Sequence, residues 1–543
     1  MLIVRCFFSF CQTDESFYVA LIHRFWMGEL LAVEEWHPVQ FYAPALVPLY
    51  ALFRLFSPQG NGVILYFRII YTLLSLAVAL LSFRVLTSKG WKFALPVALM
   101  ILFYSRANIG GMSYYNLCFL MVVLDCMLFI NRGSAFCGGI AAALAVLCNP
   151  YLGIAVIALI IYGVIRYRLR QKDILLFVAG VGAAAVLYVL LFFRNIPEQL
   201  QGLRYVLSEP SHIGGVWNSI LNGIKGTVIN SSVVLSFAAA ALSVFALLNE
   251  TGRWERLAFT VFYVLAAAAV LYRVVRCYNG VAGSVSAPVT VAAFPALLVL
   301  LKRKQAEKTE TVLYFAGIAT AISFMFASNT GGDAMTVGFC ISAMASFGII
   351  LRLFLSTGVS SDWERTVRRT ALSIICGGLL VSFVLQRLIG VYQDANLWEL
   401  DTRLETGPAQ GLYTTAEHAE QYHSICRTIG EAQEMMSEKD VRVLHSKLLP
   451  WTYCCTDWEY GTASAFNARN AWLQSYYQIH PEKIPDLVFI YEPEAGKFDH
   501  SVFNNHGTSR EPNLNRDGSV LDSIPQREYV LIMETEYVKV YSS

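Results

Sequence analysis

Residues 63–86 read VILYFRIIYTLLSLAVALLSFRVL, a run longer than the roughly 20 apolar residues that carry a helix across a bilayer. Outward from it the same pattern recurs. Apolar runs separated by short polar breaks fall at about 93–105, 115–131, 135–148, 151–165, 173–193 and 231–249. They continue at about 257–275, 281–301, 311–328, 336–356 and 371–391. Composition agrees, with 56% hydrophobic and only 15% charged residues among 543 and a mean hydropathy of +0.50, far from a soluble domain. The opening MLIVRCFFSFCQ is short and carries Arg5 in its middle. It is read as a shortened first membrane helix, for which a late start or a truncation accounts. The expected fold class is mainly α, a polytopic helical membrane bundle of about 13 helices.

Beyond residue 392 the composition changes. AEHAEQYHSICRTIGEAQEMM reads as an amphipathic helix, and DVRVLHS, PDLVFIYE and YVLIMETEYVKVY read as strands, which together predict a small α/β domain over 393–543. Residues 1–392 form the membrane domain. The net charge of +2 comes from small scattered clusters, so no nucleic acid partner is expected. Nine of the 12 cysteines fall in or beside apolar runs, and Cys426, Cys454 and Cys455 have no CxxC spacing. The pattern indicates neither a zinc site nor a disulfide framework.

Basic residues orient the bundle, since cytoplasmic loops carry the excess. One set of loops holds sixteen, among them Lys89, Arg132, Arg170, Lys172, Arg253, Lys302 and Arg365, against seven in the other set: Arg24, Arg54, Arg106, Arg194, Arg204, Lys225 and Arg276. The amino terminus is therefore expected inside, with residues 12–62 and everything after 392 outside a cytoplasmic membrane, read as bacterial.

The first external loop opens on the adjacent carboxylates Asp14 and Glu15. Phe17, Leu21 and Phe25 follow at i, i+4 spacing, the stripe of a helix lying at the interface, and PALVPLYALFRLFS repeats the idea. At TDESFY, at HRFWMGELL around Gly28 and at EWHPVQFYAPALVP the chain resembles the GT-C class of integral membrane glycosyltransferases, which includes protein O-mannosyltransferases and aminoarabinose transferases. The resemblance implies transfer of a sugar from a polyprenyl-phosphate donor to a glycan, lipid or protein acceptor, with Asp14 and Glu15 as the catalytic pair and Tyr18 beside them. Several members carry a second acidic residue in the next external loop. Here that loop reads SRANIGGMSYYN, so a metal bridged between two loops is not expected, while a divalent metal held otherwise stays open.

The chemistry asks for a carboxylate that takes the acceptor proton and a cation that receives the developing phosphate charge. Asp14 is the candidate base, with Glu15 as helper or structural neighbour. Arg106, Arg204, Arg273 and Arg276 are the candidate phosphate donors, because a guanidinium grips two oxygens at once. Tyr18, His37 and Asn329 are candidate acceptor or sugar contacts. Each has a plainer reading: acids at a helix end are solvated, Arg273 and Arg276 snorkel to the interface, and His37 with Glu34 and Glu35 sits in a turn. Asp125, inside MVVLDCMLFI, must be paired or protonated. The rival function is a transporter or flippase for a lipid-linked glycan, against which stands the lack of two related halves. A third reading is a non-catalytic scaffold for envelope polymer assembly.

Overall fold

A computed structural model describes residues 1–131, 134–167, 170–207, 252–276, 281–327, 334–436, 441–466, 470–492, 495, 519–525 and 528–543, with scattered positions between 218 and 241. Eleven apolar runs become helices: Val63–Leu86, Trp91–Phe103, Tyr114–Ile130, Ala135–Cys148, Leu152–Tyr167, Gln171–Phe192, Gly252–Arg276, Val281–Lys302, Lys308–Ala327, Thr336–Ser356 and Asp362–Leu388. The run at 231–249 lies mostly outside the described residues. Among the described residues eight helical stretches are long and apolar enough to cross a membrane, and the chain is a multi-pass membrane protein.

One of those eight, Pro38–Phe56, runs along a face instead. His37 at its start packs on Phe466, and Arg54 near its end grips both carboxylate oxygens of Asp457 at 3.0 and 2.7 Å. Both ends therefore meet the carboxy-terminal region.

Residues 1–12 do not form the expected membrane helix. A single turn, Leu2–Arg5, gives way to a segment whose backbone bonds Tyr413: Ser9 N donates to Tyr413 O at 2.9 Å, and Tyr413 N to Phe7 O. Arg5 donates to Phe8 O and Gly390 O. Cys6, Phe10 and Cys11 are buried against protein while Met1, Ile3 and Val4 stay exposed, and the arginine finds carbonyls there. The count of membrane helices falls accordingly.

Small residues let the helices close on one another, as membrane bundles require. A side chain at Gly139 would meet Phe177 O at 2.1 Å and one at Gly180 would meet Phe136 O at 2.1 Å, while Gly317 and Gly338 make a similar crossing. The helices alternate between two faces. One carries residues 12–62, 104–113 and the carboxy-terminal region. The opposite face carries the Lys89–Glu307 and Arg352–Glu310 ion pairs and the exposed Trp91, Trp254 and Trp363, a belt of the kind found at membrane interfaces.

The carboxy-terminal region is α/β, as expected. Its five-stranded sheet runs in the order Glu459–Tyr460, Arg442–His445, Leu487–Tyr491, Val538–Ser542, Val530–Glu534; the first three strands are parallel and the last two antiparallel. The helix Ala416–Met435 is capped by Thr415, which accepts from His418 N. This region shares one apolar core with the bundle: Phe10, Tyr422, Trp451 and Tyr460 belong to a single buried cluster with Tyr18 and Tyr71. Cys426 and Cys455, distant in sequence, are hydrogen-bonded through their side chains.

Candidate active site

The site grows from the amino-terminal end of the helix Asp14–Trp26. Ser16 Oγ donates to Cys11 O at 2.6 Å, which fixes the entering chain. Asp14 and Glu15 occupy the first turn, where the helix dipole favours negative charge. The stripe of Phe17, Leu21 and Phe25 is buried as expected, but so is every residue from Glu15 to Phe25. The helix is enclosed between the bundle and the Pro450–Cys455 turn rather than floating at the lipid interface. That interfacial role falls to Val47–Phe56, which exposes Leu52, Leu55 and Phe56.

Adjacent helical residues point about 100° apart, and the two carboxylates accordingly meet different surroundings. Glu15 is buried, and Arg68 holds it from two sides, Nε to Oε1 at 2.8 Å and Nη2 to Oε2 at 2.5 Å. Arg68 Nη1 also donates to the carbonyls of Cys6, Phe8 and Ser9. A side chain at Gly111 would come within 2.9 Å of Glu15 Oε1, so only glycine lets the loop close over this pair. Asp14 stays partly exposed, and its Oδ2 accepts a hydrogen bond from the Tyr392 hydroxyl.

Tyr392 follows the last membrane helix. Burial, and then the Asp14 carboxylate, hold its hydroxyl well above the ordinary phenol range, so it stays a donor. Burial and Asp14 do the same to Tyr18. Both tyrosines also feel the positive charge of Arg106. Asp14, Tyr18 and Arg106, proposed from sequence as base, contact and phosphate donor, thus share one site.

Arg106 is set there by the 104–113 loop, which Asn116 organises. The Asn116 side chain accepts from Arg106 N at 3.0 Å and donates to Ile109 O and Gly111 O at 2.9 and 2.8 Å. The Arg106 guanidinium lies 3.6 Å from the centre of the Tyr115 ring. Tyr114 packs on Tyr115 at 3.9 Å and on Tyr18 at 5.9 Å. The result is a carboxylate and a guanidinium set among tyrosine rings.

The other candidates stand elsewhere. His37 caps Pro38–Leu46 by accepting from Val39 N, and its ring packs on Phe17 at 4.7 Å, one residue from Tyr18. Arg204 is exposed and bonds Tyr205, whose ring stacks on Trp36 at 4.6 Å. Arg273 and Arg276 end Gly252–Arg276 on the same face as the 104–113 loop, because Gln386 bridges Ala282 N and Ser105 O. Asn329 lies outside the described residues. Glu35 meets Arg24 at 2.9 Å, and Arg24 also binds Glu29, Glu34 O and Thr462 O; these acids tie the loop to the carboxy-terminal region. Among the described residues no group of three or more His, Cys, Asp or Glu gathers that could hold a metal.

Sequence reading missed Tyr392, Arg68 and Asn116. Only Tyr114 and Tyr115, in the quoted SYYN, carried a usable signal, a pair of aromatics beside the loop arginine.

No family model matches the chain, and no curated protein matches it. Among solved structures, the crystal structure of ArnT from Cupriavidus metallidurans bound to undecaprenyl phosphate is similar at a TM-score of 0.49 and 11% sequence identity, covering 100% of this chain and 96% of that one.

Proposed function

We propose that the protein is a glycosyltransferase that moves a sugar from a polyprenyl-phosphate donor to an acceptor on the outer face of a cytoplasmic membrane. The observation that carries this reading is that Asp14, partly exposed and held by Tyr392, and the Arg106 guanidinium both act on Tyr18 and Tyr392. Asp14 takes the acceptor proton as the acceptor oxygen attacks the anomeric carbon. The bond from that carbon to the phosphate oxygen breaks, and the polyprenyl phosphate leaves with its negative charge directed at Arg106. One displacement inverts the anomeric centre. Tyr18, Tyr114 and Tyr115 are the buried wall that holds Arg106 in place beside the sugar.

Glu15, with both oxygens on Arg68, serves to place the first turn rather than to accept the proton. The outer-face assignment is supported by the excess of basic loop residues on the opposite face. The residues past 392 form the roof of the first loop.

The test compares wild type with Asp14→Asn in membranes given labelled polyprenyl-phosphate sugars. Label should reach endogenous acceptors only with wild type, at equal protein levels. Undiminished transfer by the variant would remove Asp14 from the chemistry. Absence of transfer from every donor, together with accumulation of an untranslocated lipid-linked glycan in cells lacking the protein, would establish the flippase instead.

A further inference from the structure

A cavity of about 350 Å³ lies between the helices Tyr114–Ile130, Ala135–Cys148, Leu152–Tyr167, Gln171–Phe192 and Lys308–Ala327. It is separate from the Asp14 site. Tyr114, which packs on Tyr18, begins the helix that carries Asp125, and eleven residues at 1.5 Å each place Asp125 about 16 Å further along that helix. The cavity opens at the other end of the bundle, where Ser134, Arg170 and Lys308 all stand at helix starts.

Its chemistry is layered. Phe129, Val156, Phe177 and Phe315 supply apolar walls. Asp125 lies below the rim, five residues before the helix end. Its carboxyl group lines the cavity among those walls, where a carboxyl group is costly unless a polar partner meets it. Gly138 leaves room for it, since a side chain there would come within 3.0 Å of Asp125 Oδ1. The rim holds Lys308, whose Nζ sits 4.2 Å from the centre of the Phe129 ring, and Arg170. Arg170 is shared with Asp173 at 3.1 Å. Access is lateral. Ile154, Ile157 and Ile161 are exposed on one bounding helix, Leu175 and Val178 on another, and the Gln171–Phe192 stretch is only 11% buried.

Cations at the membrane surface, one polar group several ångströms deeper and apolar walls below match the order of groups along a membrane lipid. We propose that this cavity binds a glycerophospholipid of the leaflet opposite the Asp14 site, with its phosphate at Lys308 and Arg170. The glycerol backbone lies at Asp125, which accepts from a hydroxyl or, as the acid, donates to an ester carbonyl. One acyl chain fills the space between Phe129, Phe177 and Phe315. Volume and lining are those of a small-molecule site, and basic residues at the interface attract anionic lipid. The inference does not rest on the transferase reading.

The experiment uses the full chain in liposomes containing phosphatidylglycerol with a photoactivatable diazirine in one acyl chain. Cross-links located by mass spectrometry should concentrate on residues 114–130 and 308–327. An even spread over exposed surfaces away from the cavity, such as Val63–Leu86 with its exposed Leu73, Leu76 and Leu80, would overturn the proposal. Lys308→Glu, which replaces attraction of the anionic headgroup by repulsion, should lower the cavity labelling about tenfold. Ala316→Phe, which fills the space from a wall position, should remove that labelling with the rim charge intact. Cavity labelling unchanged in either folded variant would refute the assignment. Excess inorganic phosphate should leave wild-type labelling unaltered; its loss would reassign the rim to a soluble phosphate and sink the lipid.

Discussion

The Tyr392 hydroxyl donates to Oδ2 of Asp14 across a separation of 378 residues. The bond couples the start of the first loop to the segment just past the last membrane helix, and it fixes which way the carboxylate faces. Tyr392→Phe should therefore lower kcat about 10- to 100-fold with little change in KM, since a misdirected base still binds substrate. Initial rates at varied donor concentration decide it; a raised KM at unchanged kcat would make Tyr392 a binding residue.

Removing Glu15 acts on stability. Glu15→Ala leaves the buried Arg68 without its carboxylate, at a cost of about 3–5 kcal/mol. Thermal melting in detergent should fall steeply for Glu15→Ala and recover in part for Glu15→Ala with Arg68→Met. A loss in the double variant equal to the sum of the losses from Glu15→Ala and Arg68→Met alone would show that the two residues are not coupled.

Arg106 should matter through the leaving phosphate. Arg106→Ala is expected to cut kcat/KM about 10²–10³-fold and to weaken inhibition by free polyprenyl phosphate, with Arg106→Lys intermediate because a point charge lacks the planar fork. Titration with the product lipid separates this from a folding defect, which would leave inhibition of the surviving enzyme unchanged.

Acid should loosen the carboxy-terminal sheet through His445. Burial holds this imidazole down at about 3, against an ordinary 6.5, and its Nδ1 is 2.7 Å from the Tyr491 hydroxyl. The folded state keeps the ring neutral while the unfolded chain takes up a proton. The stabilisation is thus complete above about pH 6.5 and declines as pH falls toward 3, by up to ~1.4 kcal/mol per unit. The melting temperature of the wild-type protein should drop between pH 7 and 5 more than that of His445→Gln. Parallel curves would rule this histidine out as the source.

The membrane helices were legible because hydropathy is a local property: Val63–Leu86 and Ala135–Cys148 match their sequence bounds, and the Ala416–Met435 helix shows its own cap. Residues 1–12 misled because apolar composition does not distinguish lipid from a protein core as the surroundings. At the site, Asp14 could be picked out by its place after an apolar run, and Arg106 by its loop. Nothing local separates Asp14 from Glu15; the difference lies in Arg68 and Tyr392, far along the chain. The Cys426–Cys455 contact was invisible for the same reason.

The Arg24 side chain, shut between Glu29, Glu35 and the Thr462 carbonyl, has a practical corollary for chimeras. Residues 12–62 and 441–466 fit each other as lock and key, with Tyr460 reaching Ala20 O and Ala465 N reaching Glu35. A tail transplanted from another protein would arrive without the matching groove, so grafts must move both stretches together as one cassette.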